Sequence, residues 1–293
     1  MFRRSRPVWL AIVPLVLTGA MGGAAASAAP STMKDWSTKT RVEDGVLYVT
    51  AAPEVNNWIQ VEVRGAKARV WEMDGALIAG AGCVQSGAWA SECTGFTSIV
   101  VDGGDWGDVV EVGNATTLPC RAHGGSSQDQ LYVYGCGAGG DEGDDVITIL
   151  QEGLGVSGGN APSTAANEVF GGPGRDSLDL RSSTGPLTVS LDDVANDGLV
   201  GDPRNNVHSD IEDVAGGVDS DATLIGSNGD NRLLGGNGKD VIDGAGGNDS
   251  LIGYEGDDTL RGGAGFDALD GGEGFDRCDV GADGGDALRC EAS

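Results

Sequence analysis

Near the end of the chain, side-chain oxygens recur every nine residues: Asn231, Asp240, Asp249, Asp258, Asp267 and Asp276. Carboxylate and amide oxygens are hard ligands. A regular file of them suits a hard cation such as Ca²⁺, which takes about six to eight oxygens. Glycine stands five residues before each (Gly226, Gly235, Gly244, Gly253, Gly262, Gly271) and again two residues before each (Gly229, Gly238, Gly247, Gly256, Gly265, Gly274). Glycine tolerates positive φ and close backbone approach, so a turn built on it can aim carbonyl oxygens at the same ion. Gly235, Gly244, Gly253 and Gly262 are therefore expected beside the carboxylates in a metal site. Two residues after each oxygen comes an apolar position: Leu233, Ile242, Leu251, Leu260, Leu269 and Cys278.

These positions define a nonapeptide. From Gly226 to Asp279 the chain reads GSNGDNRLL, GGNGKDVID, GAGGNDSLI, GYEGDDTLR, GGAGFDALD, GGEGFDRCD, six units in unbroken register. A flexible Gly/Asp linker would not hold an apolar residue at one phase. The block resembles the RTX, or hemolysin-type, calcium-binding repeat family, whose motif is GGxGxDxUx. The resemblance implies a parallel β-roll in which each unit is a glycine turn followed by a short strand, and two units complete one coil. Residues 18 apart would then stack, with Asn231, Asp249 and Asp267 in one ladder and Asp240, Asp258 and Asp276 in the other. About four ions would bridge successive rungs. The block carries 12 acidic and 4 basic residues, a repulsion that bound cations would relieve.

Upstream the same grammar is blurred. Residues 171–179 read GGPGRDSLD, and Gly140 to Asp145 runs into the strand-like Val146-Ile147-Thr148-Ile149, which makes Asp176 and Asp145 weaker metal candidates. Gly103-Gly104-Asp105-Trp106-Gly107-Asp108 likewise separates two β-branched stretches. Residues 96–225 are thus expected to be a degenerate solenoid, interrupted by loops at 151–170 and around Asn196 to Ser209. Residues 29–95 read as a β-rich head, with turn signals at Asp44-Gly45 and Asp74-Gly75. A solenoid needs a cap because an open end exposes strand edges and core. Residues 280–293 keep the Gly/Asp flavour without the register and are expected to close the other end.

The fold class expected is therefore all-β, a parallel β-solenoid with an N-terminal cap. The chain has 293 residues and a formal net charge of −27, which argues against nucleic acid and anionic membrane as partners. Glycine is abundant at 52 residues but follows no Gly-X-Y period, so collagen is excluded. Residues 1–28 read as a secretory signal peptide. Arg3, Arg4 and Arg6 precede an apolar run from Val8 to Leu17, and Ala26-Ser27-Ala28 fits a cleavage site. The run is shorter than the roughly 20 residues of a membrane span, so a secreted protein is expected. An even number of cysteines in an exported chain implies disulfides, and neighbour pairing is simplest: Cys83–Cys93, Cys120–Cys136, Cys278–Cys290. Without a CxxC and with two histidines, zinc is disfavoured.

These features point to a secreted calcium-binding structural or interaction module rather than an enzyme. Adjacent acid pairs (Asp144-Asp145, Asp192-Asp193, Asp257-Asp258) could in principle serve a hydrolase, but an acidic chain produces them as cation ligands or by chance. His123 and His208 belong to no HExxH motif and read as surface histidines, and there is no G-x-S-x-G elbow. Gly135, Gly137 and Gly140 match G-x-G-x-x-G, but an Asp-rich turn and a strand follow instead of a helix. Trp36, Trp58, Trp71, Trp89 and Trp106 fall in the first part of the chain. Packing in strand cores is the commoner use of such residues. The alternative is a carbohydrate- or cell-surface-binding head, with a polysaccharide-modifying enzyme as a third reading.

Overall fold

A computed structural model of the chain is all-β, and its fold is described for residues 36–150, 168–183, 185–199 and 202–291. The expected signal peptide and most of the expected loop at 151–170 lie outside these residues. No helix long and apolar enough to cross a membrane is present among the described residues.

The chain winds as a solenoid because its strands are short, alternate in burial and are followed by tight turns. Each coil places one strand in a long sheet and one in a shorter sheet, and the inward side chains of both merge into one core. From its C-terminal end the long sheet runs through Gly285–Leu288, Asp267–Glu273, Ser250–Glu255, Arg232–Asn237, Asp213–Ala215, Ser177–Asp179, Val146–Ile149, Gln130–Tyr134, Val109–Asn114 and Trp58–Arg64, all parallel. The other strand of each coil belongs first to a nine-stranded sheet and, towards the C-terminus, to a parallel five-stranded one. That smaller sheet holds Leu187–Ser190, Ala222–Ile225, Val241–Asp243, Thr259–Arg261 and Arg277–Asp279.

In the repeat block the coil is 18 residues. Leu233, Leu251 and Leu269 are register partners in the long sheet, and Ile242, Leu260 and Cys278 are partners in the short one. All six are buried. The register continues past Asp279: Leu269 pairs with Ala287, so the tail adds one more strand to the long sheet. The expectation that the tail leaves the register is corrected here. Sequence reading missed it because Gly285 replaces the acidic residue.

The head and the repeats share their sheets. Val46–Thr50 and Trp58–Arg64 pair in parallel with Ser98–Asp102 and Val109–Asn114 and form the first coil. The end is closed by antiparallel strands: Ser37–Glu43 returns on Val46–Thr50 through Asp44 and Gly45, both at positive φ. Lys67–Glu72, Ala90–Thr94 and Cys83–Gln85 cover the last strand of the long sheet.

Two other expectations change. The region around Asn196 to Ser209 contains an antiparallel pair, Asp197–Leu199 with Asp202–Val207, rather than loop alone. Buried Asp197 takes the Ser190 and Val207 N–H groups at 2.6 and 2.7 Å, which stitches the five-stranded sheet to the nine-stranded one. The tryptophans do not fill the core. Trp36, Trp58, Trp89 and Trp106 are exposed, because the inward positions of so thin a solenoid suit aliphatic side chains.

Candidate metal centre

Asn231 and the five aspartates that recur every nine residues after it stand on the edges of the solenoid, where each turn enters its strand. Asp240, Asp249, Asp258, Asp267 and Asp276 are all at most 2% exposed. One carboxylate oxygen of each has a defined partner: Oδ1 accepts the backbone N–H of the residue one coil earlier. Asp258 accepts from Asp240, Asp276 from Asp258, Asp249 from Asn231 and Asp267 from Asp249, at 2.8–2.9 Å. Asp240 accepts from Ala222 at 2.7 Å. The two ladders expected from the 18-residue period are therefore present as hydrogen-bonded columns.

The second oxygen has none. Oδ2 of all five aspartates is buried and without a hydrogen-bond partner. An unmatched buried carboxylate oxygen is costly unless a proton or a cation meets it. It points into the glycine turn. A Cβ on Gly235, Gly244, Gly253 or Gly262 would stand 2.1–2.2 Å from the Oδ2 of Asp240, Asp249, Asp258 or Asp267 respectively. At Gly244 and Gly253 the same point lies 2.6 and 2.4 Å from the carbonyl oxygens of Gly262 and Gly271, one coil on. Acceptors thus converge where no donor stands, and only glycine leaves the space open.

Burial pushes the carboxyls of Asp240 and Asp249 up to about 7, against the lowering effect of the backbone N–H each accepts. Asp258 is shifted upward for the same reason. Asn231 differs: its Oδ1 accepts the Ser227 N–H at 2.8 Å and its Nδ2 donates to the Glu212 carbonyl at 3.2 Å, so the neutral rung is satisfied internally. Among the described residues no three His, Cys, Asp or Glu side chains cluster as a metal site. Each rung offers a single carboxylate, and a cation here would take most of its oxygens from turn carbonyls. The donor set is oxygen throughout, which fits calcium.

Asp145 and Asp176 occupy the same kind of place, buried with Oδ2 unmatched, and Asp176 Oδ1 accepts the Asp145 N–H at 2.8 Å. Burial raises both carboxyls, Asp176 to about 7. Asp108, which the sequence placed in a degenerate turn without naming it a ligand, and Asp129, which it passed over, have it too. The signal was a glycine pair four and five residues upstream, Gly103-Gly104 and Gly124-Gly125. The acid pairs divide their tasks. Asp145 and Asp258 face inward, while Asp144 and Asp257 take the Arg175 and Phe275 N–H groups on the outer rim.

The RTX calcium-binding nonapeptide repeat model, in four copies, matches residues 216–251 and 252–286. Residues 216–286 are RTX repeats. These repeats are in general non-enzymatic, calcium-binding structural units, and the buried, glycine-cradled carboxylates agree with that character. No curated protein matches the chain.

The histidines lie away from the RTX ladders. His208 stacks on Phe170 with ring centroids 3.9 Å apart, and its nitrogens meet Glu168 Oε2 at 2.7 Å and Asp193 Oδ1 at 3.0 Å. It is a partly buried clamp, not the free surface residue expected, because the 202–207 strand carries it against Phe170. His123 sits 3.0 Å from Asp141 Oδ2. Gly135, Gly137 and Gly140 lie beside and within the strand Gly137–Glu142, in no nucleotide-binding arrangement.

Proposed function

We propose that the RTX block binds Ca²⁺ in a protein exported from the cell, and that the bound ions hold the C-terminal coils folded. The ligands in this reading are Asp240, Asp249, Asp258, Asp267 and Asp276, with Asn231 as the weakest rung and turn carbonyls at Gly235, Gly244, Gly253 and Gly262. The observation that carries it is the file of five buried Oδ2 atoms without partners, each in a glycine turn. Calcium supplies the positive charge those oxygens lack. The aspartates hold the turns in register through Oδ1, and the glycines keep the space clear. Extracellular calcium modules bind at about 10⁻⁴–10⁻³ M, so the block would stay unfolded before export and fold outside. A calorimetric calcium titration of the metal-stripped chain should show saturable binding in that range that weakens in Asp258→Ala. No binding up to about 10 mM would refute the proposal.

The role of the whole is a structural or interaction module. A specific observation favours a carbohydrate or cell surface as its partner: the outer face of the long sheet carries exposed Trp58, whose Nε1 donates to Glu111 Oε1 at 3.0 Å, with Gln60 on the same strand also donating to Glu111 and Tyr132 opposite Glu111 on the strand beyond. Flat, exposed aromatics held by polar neighbours suit sugar stacking. Loss of glycan-array signal in Trp58→Ala with the fold intact would support this; an array blank for the wild type would reject it.

A further inference from the structure

The carboxylate ladder does not stop where the RTX match stops. On the edge that feeds the long sheet it continues through the N-terminal half: Asp176 accepts from Asp145, Asp145 from Asp129, Asp129 from Asp108 and Asp108 from Asn57, all backbone N–H to Oδ1 at 2.6–2.8 Å. We infer that the coils around Asp108, Asp129 and Asp145 hold a second group of calcium sites, outside the RTX repeats and of different turn sequence. The inference rests on the calcium reading of the repeats but concerns residues that the repeat match does not reach.

Two observations carry it. Asp108, Asp129 and Asp145 are at most 1% exposed, and the Oδ2 of each is buried with no partner. These atoms point into the same cradle as in the repeats. A Cβ on Gly124 would stand 2.6 Å from both Asp129 Oδ2 and the Gly140 carbonyl oxygen. On Gly140 it would stand 2.4 Å from Asp145 Oδ2 and 2.7 Å from the Gly171 carbonyl oxygen. The corresponding pair at Gly244 is Asp249 Oδ2 and the Gly262 carbonyl, at 2.2 and 2.6 Å. The orphan carboxylate oxygen and the carbonyl from the next coil are thus arranged alike in both halves. The turns themselves differ, reading GGDWGD and GGSSQD. Rungs are separated by 51, 21 and 16 residues instead of 18, so no regular period announces them.

Terbium(III), a calcium surrogate, separates the two groups by optics. Trp106 lies in the same turn as Asp108, and Trp58 follows Asn57, whereas residues 216–286 contain Tyr254 and no tryptophan. Tryptophan-sensitised terbium emission from the full disulfide-bonded chain should appear, be displaced by excess calcium, and fall about tenfold in D108N/D129N. Asparagine keeps the Oδ1 acceptor and already occupies this place at Asn57 and Asn231, so the double variant should keep its circular dichroism. D240N/D258N should leave the tryptophan-sensitised emission unchanged while lowering bound calcium. Absence of displaceable emission in the wild type, or undiminished emission in D108N/D129N, would overturn the inference. Calcium uptake in D240N/D258N equal to that of the wild type would instead count against the reading of the repeats. Should D108N/D129N misfold, D129N alone, scored by calcium bound per folded chain in equilibrium dialysis, decides in the same way.

Discussion

The two halves of the solenoid solve one problem by different means. In the N-terminal half most long-sheet strands bury two aliphatic side chains, as with Val110 and Val112, Leu131 and Val133, or Ile147 and Ile149. In the RTX block each buries one, Leu233, Leu251 or Leu269, and the next inward position is a glycine of the turn. The edges differ as well. Where the RTX block carries Asp240, Asp258 and Asp276, the N-terminal half closes that edge with the Cys120–Cys136 disulfide and with Asn114, whose Nδ2 donates to the Leu118 and Gly135 carbonyls. On the proposed calcium reading, a thick core and a covalent edge should leave a fold that stands without calcium, and a thin core with carboxylates on both edges one that depends on it.

The largest effect should come from filling a cradle. Gly253→Ala puts a Cβ 2.2 Å from Asp258 Oδ2 and 2.4 Å from the Gly271 carbonyl, and should destabilise the RTX block by about 3 kcal/mol in thermal melts at saturating calcium. Gly229→Ala, whose nearest neighbour would be Ser227 Oγ at 3.6 Å, should stay within about 0.5 kcal/mol of wild type. Equal effects would show that the turns do not set the stability of the thin half.

Removing the covalent edge tests the other side. Cys120→Ser with Cys136→Ser opens a 16-residue link and should weaken the N-terminal half by about 3 kcal/mol. The calcium midpoint of the RTX block should move less than about twofold, since distant sites act independently. A large shift in that midpoint would mean that the halves fold as one unit.

Within the block, Asp258 bonds to rungs on both sides, whereas Asp276 ends its column of aspartates and donates its N–H to Glu291 Oε2. Asp258→Ala should raise the calcium midpoint about tenfold, equivalent to about 1.4 kcal/mol, and Asp276→Ala less. Circular dichroism titrations would show it, and equal midpoints would contradict the ladder.

The smallest effect expected is that of pH on the chelator-treated chain. Asp240 and Asp249 titrate near 7 in the fold and near 3.8 outside it. Above pH 7 they are ionised in both states and the fold bears the full burden of buried charge. As pH falls from about 7 towards 4 the folded state takes up protons first, so stability rises. The metal-free block should therefore gain β signal on acidification, and a loss would show that those carboxylates are not what opposes folding.

How much was legible in the sequence follows the same division. The RTX columns were readable because an 18-residue coil is strictly kept, so Leu233, Leu251 and Leu269 announce their own stacking. The upstream column was not, because the chain between rungs varies in length, from 16 to 51 residues, which breaks the period while leaving each rung intact. Asp145 and Asp176 were found only where a full glycine turn survived, Asp108 was read only as part of a degenerate turn, and Asp129 was missed. Glu212 also serves as a rung, taking the Asp176 N–H at 2.8 Å, and no motif marks it. The exposure of the tryptophans follows from the width of the core, which strand patterns do not report.

Hydrogen exchange of the full chain, read by mass spectrometry with calcium and with excess chelator, tests the contrast most directly. With calcium, the strands Arg232–Asn237, Ser250–Glu255 and Asp267–Glu273 should be protected as strongly as Val109–Asn114 and Gln130–Tyr134. In chelator the first three should exchange freely while the other two keep most of their protection. Protection of the RTX strands that survives chelation, or its loss from both halves together, would contradict a calcium-dependent C-terminal half on a self-supporting N-terminal one.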